Sequence, residues 1–161
     1  MKQKVIIMSA LPGMGKDFYI KTREEGMDPF SDENEEGNYT VVSADHFFTN
    51  QAGVYNFEPA LISQAHESCL RAFLNAVLMN SVQRVYVSNT NTQQWERWPY
   101  HQLAKAYGCD VEYVVIEGDI SLTERNTHGV PPEVISRMAG RMERNGMTWG
   151  ANLKVIEANS F

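Results

Sequence analysis

The chain has 161 residues, 43% of them hydrophobic and 21% charged, with a formal net charge of −6. That length suits one domain of ordinary globular composition and excludes disordered, collagen-like and coiled-coil readings. The charge runs from −5 over residues 1–60 and −2 over 61–119 to +1 over 120–161, so bulk electrostatics do not suit the chain to coating nucleic acid. An anionic ligand would need a local pocket.

Apolar runs such as Val5-Ile6-Ile7-Met8 and Val114-Val115-Ile116 are too short to span a membrane. Cys69 and Cys109 are too few for a disulfide framework or a zinc quartet and read as free thiols. The expectation is a soluble, cytoplasmic, single domain over 1–161, with no membrane partner and no signal of oligomeric state.

In chain order, Lys4–Met8 reads as a buried strand that runs straight into Ser9-Ala10-Leu11-Pro12-Gly13-Met14-Gly15-Lys16. A helix is predicted from Asp17 to Glu25, and then an acidic solvated loop over 26–38. Tyr39–Ser43 reads as a second strand, ending at Asp45. From Glu58 to Asn80 the steps of three and four between Leu61, Ala65, Cys69, Ala72, Ala76 and Met79 predict the longest helix. Val82–Val87 is a third strand with polar Ser88-Asn89-Thr90-Asn91 at its carboxyl end. A helix over Gln93–Tyr107 with Gly108 as C-cap, a strand over Val111–Ile116, helical pieces at Leu122–Asn126 and Pro132–Asn145, and a strand over Leu153–Ala158 complete the pattern.

Such alternation predicts a three-layer α/β fold with a mostly parallel sheet of about five strands and helices on both faces. Ligands of these sheets sit beyond the carboxyl ends of the strands. Three polar clusters fall there: the glycine loop, Ser43–Asp45 and Ser88–Asn91.

The glycine loop fits the phosphate-loop pattern G-x-x-x-x-G-K-[ST], with a strand before it and a helix after it. Gly13 and Gly15 let the loop's backbone N–H groups curl around phosphate oxygens, and Leu11, Pro12, Gly13, Met14, Gly15, Lys16 and Asp17 form the expected phosphate-binding stretch. Lys16 is expected to be an exposed loop residue reaching the β- and γ-phosphates, and the next helix adds its positive N-terminal end. Two positions depart from the pattern: Ala10 stands for the first glycine, and Asp17 for the hydroxyl residue that touches Mg2+.

With these motifs the chain resembles the kinase domain of polynucleotide 5′-hydroxyl kinases and the related small phage and bacterial P-loop kinases. The resemblance covers Val5 to Glu143. It rests on Leu-Pro-Gly-x-Gly-Lys at 11–16, Ser-Ala-Asp at 43–45, Asn-Thr-Asn at 89–91 and Arg-Asn-x-His-Gly-Val-Pro at 125–131. It implies a P-loop NTPase fold, ATP and Mg2+ as cofactors, Asp45 as the general base and Arg125 as a lid arginine on the ATP phosphates. Polynucleotide kinases carry an acceptor-side arginine three residues after the catalytic aspartate, where this chain has Phe48.

The chemistry asks for the same residue types, since phosphoryl transfer needs positioning and positive charge around the migrating group. Lys16, Mg2+ and one or two arginines supply the charge. Asp45, at a strand end among neighbours of little charge, is expected to accept the proton of the acceptor hydroxyl. Arg137 joins the nucleotide-binding set as the helical neighbour of Arg141. The metal set is Asp17 with Ser88, because related kinases carry a hydroxyl at the first place and an acid at the second, and here the two are exchanged. Residues 118–131 are expected to form a mobile lid. Tyr55, Phe57, Trp95 and Trp98 read chiefly as packing residues, and His66 as a structural helix residue.

These expectations describe an ATP-dependent kinase acting on a hydroxyl of a nucleic acid or nucleotide. The acceptors left open are a 5′-hydroxyl end, a hydroxymethylated base in phage DNA, and a free nucleoside or nucleotide. A non-catalytic ATP-binding regulatory module is the reading from another class, and such a module has no use for a base at Asp45.

Overall fold

The computed structural model describes residues 2–25, 38–142 and 152–158. Its strands are β1 (Lys4–Ser9), β2 (Tyr39–Val42), β3 (Arg84–Ser88), β4 (Asp110–Glu117) and β5 (Asn152–Glu157). Its helices are α1 (Lys16–Glu24), α2 (Ile62–Met79), α3 (Gln94–Ala106) and α4 (Pro132–Arg141). Short 3₁₀ segments cover Ala44–Phe48, Pro59–Leu61 and Ile120–Arg125. The acidic stretch 26–37 and the end of the last predicted helix, 143–145, lie outside the described residues.

The five strands form one parallel sheet in the order β2-β3-β1-β4-β5. β1 is central, with Met8 opposite both Ser88 and Val114, so its carboxyl end opens at the middle of the sheet. A parallel sheet covered on both faces needs strands that are apolar on both sides. Val5, Ile7, Val85, Val87, Tyr113 and Val115 face a core that includes Ala65, Cys69, Phe73 and Val77 of α2 and Tyr100 and Ala104 of α3. Ile6, Met8, Tyr86, Val114, Ile116 and Ile156 face the other core, which includes Tyr19 and Ile20 of α1 and Ile135 of α4. This is the expected three-layer P-loop NTPase architecture.

The buried face of α2 differs from the predicted one. The buried row is Ala65, Cys69, Phe73 and Val77, in steps of four, whereas Ala72 is exposed and Met79 is 74% exposed. Phe73 and Val77 offer more apolar area than the alanines beside them, and the larger side chains take the core. Phe73 then meets Tyr100 edge-on at 5.1 Å between centroids. The α3 C-terminus ends as predicted on Gly108 at φ 74, with N–H bonds from Gly108 to Lys105 and from Cys109 to Ala104 closing the helix.

Charges also enter the core, and they orient α1. Arg23 donates to both carboxylate oxygens of Glu112 on β4, at 2.7 and 3.1 Å, with both residues buried. Glu24 accepts two bonds at 2.7 Å from Arg84 on β3 and another from the Tyr86 hydroxyl. Paired charges with bidentate geometry are what make such burial tolerable. The C-terminal turn of α1 is thereby fixed across the sheet, and its N-terminal turn is aimed at the glycine loop.

Candidate active site

The loop after β1 is shaped by two glycines in the left-handed region, Gly13 at φ 81 and Gly15 at φ 94. Gly15 is the N-cap of α1 and no side chain caps the helix. The first N–H groups of α1 therefore stay available to an anion, which fits a phosphate group in the loop. Leu11 and Met14 point the other way, 8% and 2% exposed in the core, so these residues offer only backbone to a ligand. Pro12 lies between them, half-buried and without an N–H to give.

Lys16 is not the exposed loop residue expected. It is the first residue of α1, half-buried, and its Nζ donates to the Ala10 carbonyl at 3.4 Å. Loss of hydration in that position lowers its ammonium below the ordinary lysine value, partly offset by the nearby carboxylates of Asp45 and then Asp17. The charge of Asp45, which follows β2 two strands away from β1, thus acts on Lys16 ahead of that of Asp17.

Asp45 is held by its own local structure. Asn89 Oδ1, at the end of β3, accepts from the Ala44 N–H at 2.9 Å, and Ser43 Oγ accepts from the Asp45 N–H at 3.2 Å. These bonds fix the 3₁₀ turn that projects the carboxylate. The expectation of neighbours with little charge does not hold. Besides Lys16, Asp45 Oδ2 lies 3.3 Å from His128 Nδ1, and Oδ1 accepts from the Tyr55 hydroxyl at 3.5 Å. Tyr55 arrives on a hairpin closed by its antiparallel bridge to Thr49, and its ring stacks on His128 with centroids 4.1 Å apart. Burial, the Asp45 charge and the hydrogen bond together push the Tyr55 phenol up to about 12. Phe48, in the place of the acceptor-side arginine, is 7% exposed and packs in the α2 core.

The three strand-end clusters converge. Ser9 Oγ donates to the Asn91 carbonyl at 2.7 Å, Ala10 N–H to the Thr90 carbonyl at 3.2 Å, and Asn91 Nδ2 to the Met8 carbonyl at 2.7 Å. Asn91 adopts φ 44, a conformation asparagine tolerates. The fully buried Arg97 donates to the Asn91 and Thr92 carbonyls at 2.7 and 2.9 Å. Residues after β3 thus buttress the glycine loop from the side.

Arg125 reaches the loop, its Nε donating to the Gly13 carbonyl and to the Leu122 carbonyl, each at 3.2 Å. Arg137 lies on the exposed face of α4, and no described bond joins it to the loop. Ser88 is the last residue of β3, 4% exposed beside Met8, while Asp17 is exposed in the first turn of α1. Among the described residues no group of three or more His, Cys, Asp or Glu could hold a metal ion. A hard cation sharing phosphate and water ligands needs only one or two protein oxygens, and Asp17 and Ser88 each carry an oxygen of the kind it takes. Burial pushes the thiols of Cys69 and Cys109 up, so neither is an activated nucleophile. His66 lies on the exposed face of α2.

Sequence reasoning placed His128 in the lid, with an anion as its open contact, and gave Tyr55 chiefly a packing role. The His-Gly-Val-Pro run marked the segment, but nothing in it names Asp45 as the partner.

No helix among the described residues is long and apolar enough to cross a membrane. Comparison with known proteins places the fold and the family. Human NEDD4-binding protein 2 is 30% identical over 147 residues; the match covers 87% of this chain, and the chain spans only 8% of that protein's length. Among solved structures, the Pnkp1/Rnl/Hen1 RNA repair complex aligns with a TM-score of 0.61 at 15% identity, over 88% of this chain and 44% of the other. The Mycobacterium tuberculosis APS kinase CysC, in complex with AMPPNP and APS, aligns with a TM-score of 0.55 at 16% identity, over 88% and 77% of the two chains. Residues 5–145 match the AAA domain family AAA_33, and with the phosphate loop, the central parallel sheet and nearly the whole length accounted for, the chain belongs to that family and carries a P-loop NTPase fold.

Proposed function

We propose that this chain transfers the γ-phosphoryl group of ATP to a hydroxyl of a nucleic acid or nucleotide, in the manner of polynucleotide 5′-hydroxyl kinases. The observation that carries the reading is the Asp45 carboxylate, projected by the 3₁₀ turn that Asn89 and Ser43 hold at the same end of the sheet as the glycine loop. A nucleotide-binding loop alone needs no carboxylate there. A hydroxyl kinase does, because the acceptor must lose a proton as its oxygen bonds to phosphorus.

In this reading the backbone of Leu11–Asp17, including Gly13 and Gly15, cradles the phosphates, and Lys16 and Arg125 neutralise charge that grows on the migrating group. Asp45 orients the acceptor hydroxyl and takes its proton, ADP leaving on the opposite side. Arg137 would add charge from α4 when residues 118–131 close as a lid over the nucleotide. Mg2+ supplies further charge neutralisation on the phosphates when bound, and Asp17 and Ser88 are the residues that would hold it. The unit that does this is the single domain 1–161.

The test is incubation with γ-labelled ATP and a panel of acceptors: 5′-hydroxyl DNA and RNA ends, hydroxymethylated DNA, and free nucleosides and nucleotides. Label on a hydroxyl of one of them supports the reading. ATP turnover that labels none of them supports a regulatory ATP-binding module instead.

A further inference from the structure

Asp45 is braced from two directions by residues far from it in the chain. The Tyr55 hydroxyl donates to Oδ1 at 3.5 Å and His128 Nδ1 lies 3.3 Å from Oδ2. The two rings stack, 17° from parallel, so each limits the motion of the other. The imidazole is presented by a tied turn. Asn126 Oδ1 accepts from the Val130 N–H at 2.8 Å and Asn126 Nδ2 donates to the Thr123 carbonyl at 2.8 Å, while Gly129 takes φ 65. Three residues behind His128, Arg125 holds the same segment on the Gly13 carbonyl.

We propose that His128 is a positioning residue for Asp45, and that through it the segment seated on the glycine loop also aims the carboxylate at the acceptor hydroxyl. The proposal rests on reading Asp45 as the proton acceptor. A carboxylate on a short side chain turns freely unless its oxygens are engaged. A polar ring group beside each oxygen, one at 3.5 Å and one at 3.3 Å, limits how its plane turns and still leaves each oxygen a lone pair for the acceptor. Seating the segment therefore sets the phosphate-side arginine and the base together, and lifting it releases both. The pair has a chemical signature. An ionised carboxylate only accepts hydrogen bonds, so a neutral His128 that positions Asp45 by donating to it carries its proton on Nδ1, the reverse of the tautomer that predominates in free histidine. The partner sets the tautomer, as it does for metal-bound histidines.

Ring nitrogen NMR on the full chain at pH 8 reads this without any acceptor. His128 should be protonated on Nδ1, and Asp45→Ala should return it to Nε2; an Nε2-protonated ring in the unmodified chain overturns the proposal. In transfer from ATP to a 5′-hydroxyl oligonucleotide, His128→Leu should lower kcat roughly ten- to a hundredfold through misplacement of the base, with KM for ATP unchanged. His128→Asn, which keeps an N–H near the position of Nδ1, should recover most of that loss. Adding His128→Leu to Asp45→Asn should cost nothing further, and an additive loss overturns the proposal. If Asp45→Asn is inactive while His128→Leu works at the full rate, the positioning role alone fails. If Asp45→Asn itself keeps full activity, the reading of Asp45 fails and the positioning role falls with it.

Discussion

Arg125 donates its Nε proton to the carbonyl of Gly13 at 3.2 Å, joining points 112 residues apart in the chain. The contact is part of a close backbone approach. A Cβ on Gly13 would sit 2.9 Å from the Asn126 nitrogen, 3.0 Å from the Thr123 oxygen and 3.1 Å from the Leu122 oxygen. Gly13 is therefore needed twice, for a left-handed turn and for the seat it gives to the 120–126 segment.

Gly13→Ala should accordingly do more than disturb a phosphate site. The strained φ and the backbone clashes predict a loss of about 1–3 kcal/mol in stability, with faster hydrogen exchange across 120–131. Exchange in that segment unchanged from the parent would show that Gly13 does not hold it.

Lys16→Met separates stability from activity. Transfer should fall about a hundred- to a thousandfold, as for loss of one transition-state charge contact. Stability should move the other way. The ammonium is held below the ordinary value of 10.5 by burial, so the charged form burdens the fold at neutral pH. That burden eases as pH rises through the folded-state value toward 10.5, because the unfolded chain then binds the proton more readily. Thermal unfolding should find the variant more stable than the parent at pH 7, with the gap narrowing toward alkaline pH. A variant less stable than the parent at pH 7 contradicts this.

Tyr55 reports on Asp45. Its phenol is pushed up to about 12, first by burial and then by the Asp45 charge and hydrogen bond. The neutral phenol is the form the fold prefers, so the stability it contributes is intact below about pH 10 and is lost as pH rises through about 12. Asp45→Asn removes the charge and should bring the Tyr55 ring titration, followed by NMR, down toward the ordinary tyrosine value without reaching it. A titration that does not move would mean the two side chains do not interact.

The parts of this site that were legible in the sequence are the local ones. Gly13, Gly15 and Lys16 announce themselves because strand, loop and helix follow one another directly. Asp45 stands at a strand end within a recognisable Ser-Ala-Asp run. His128 and Tyr55 meet Asp45 only through tertiary structure, one from the tied turn after β4 and the other from the hairpin after the 3₁₀ segment. The helical face of α2 was ambiguous for a different reason. Ala65 and Cys69 belong equally to the predicted and the observed rows, and only packing decides that Phe73 and Val77 continue the row. Glu112 and Arg23 are the converse case. Nothing in the sequence pairs these two charges 89 residues apart; the fold buries them together, and the pair fixes α1 over the sheet.

The metal assignment predicts a compensating pair. If Asp17 and Ser88 share one cation from opposite sides, Asp17→Ala should raise the Mg2+ concentration needed for half-maximal turnover. Asp17→Ser combined with Ser88→Asp should be more active than Asp17→Ser alone, since one hydroxyl and one carboxylate are restored in exchanged places. A double variant no better than the single one shows that the two positions do not share a metal.

The central claim is that Asp45 accepts the proton of an acceptor hydroxyl while the glycine loop holds ATP. The most direct measurement is label transfer from γ-labelled ATP to the best acceptor of the panel, made alongside ATP affinity, for the parent chain and Asp45→Asn. The amide keeps the shape of the side chain and removes its basicity, so transfer should fall about a hundredfold or more with ATP affinity preserved. Transfer that survives in Asp45→Asn, or ATP affinity that collapses with it, would contradict the account.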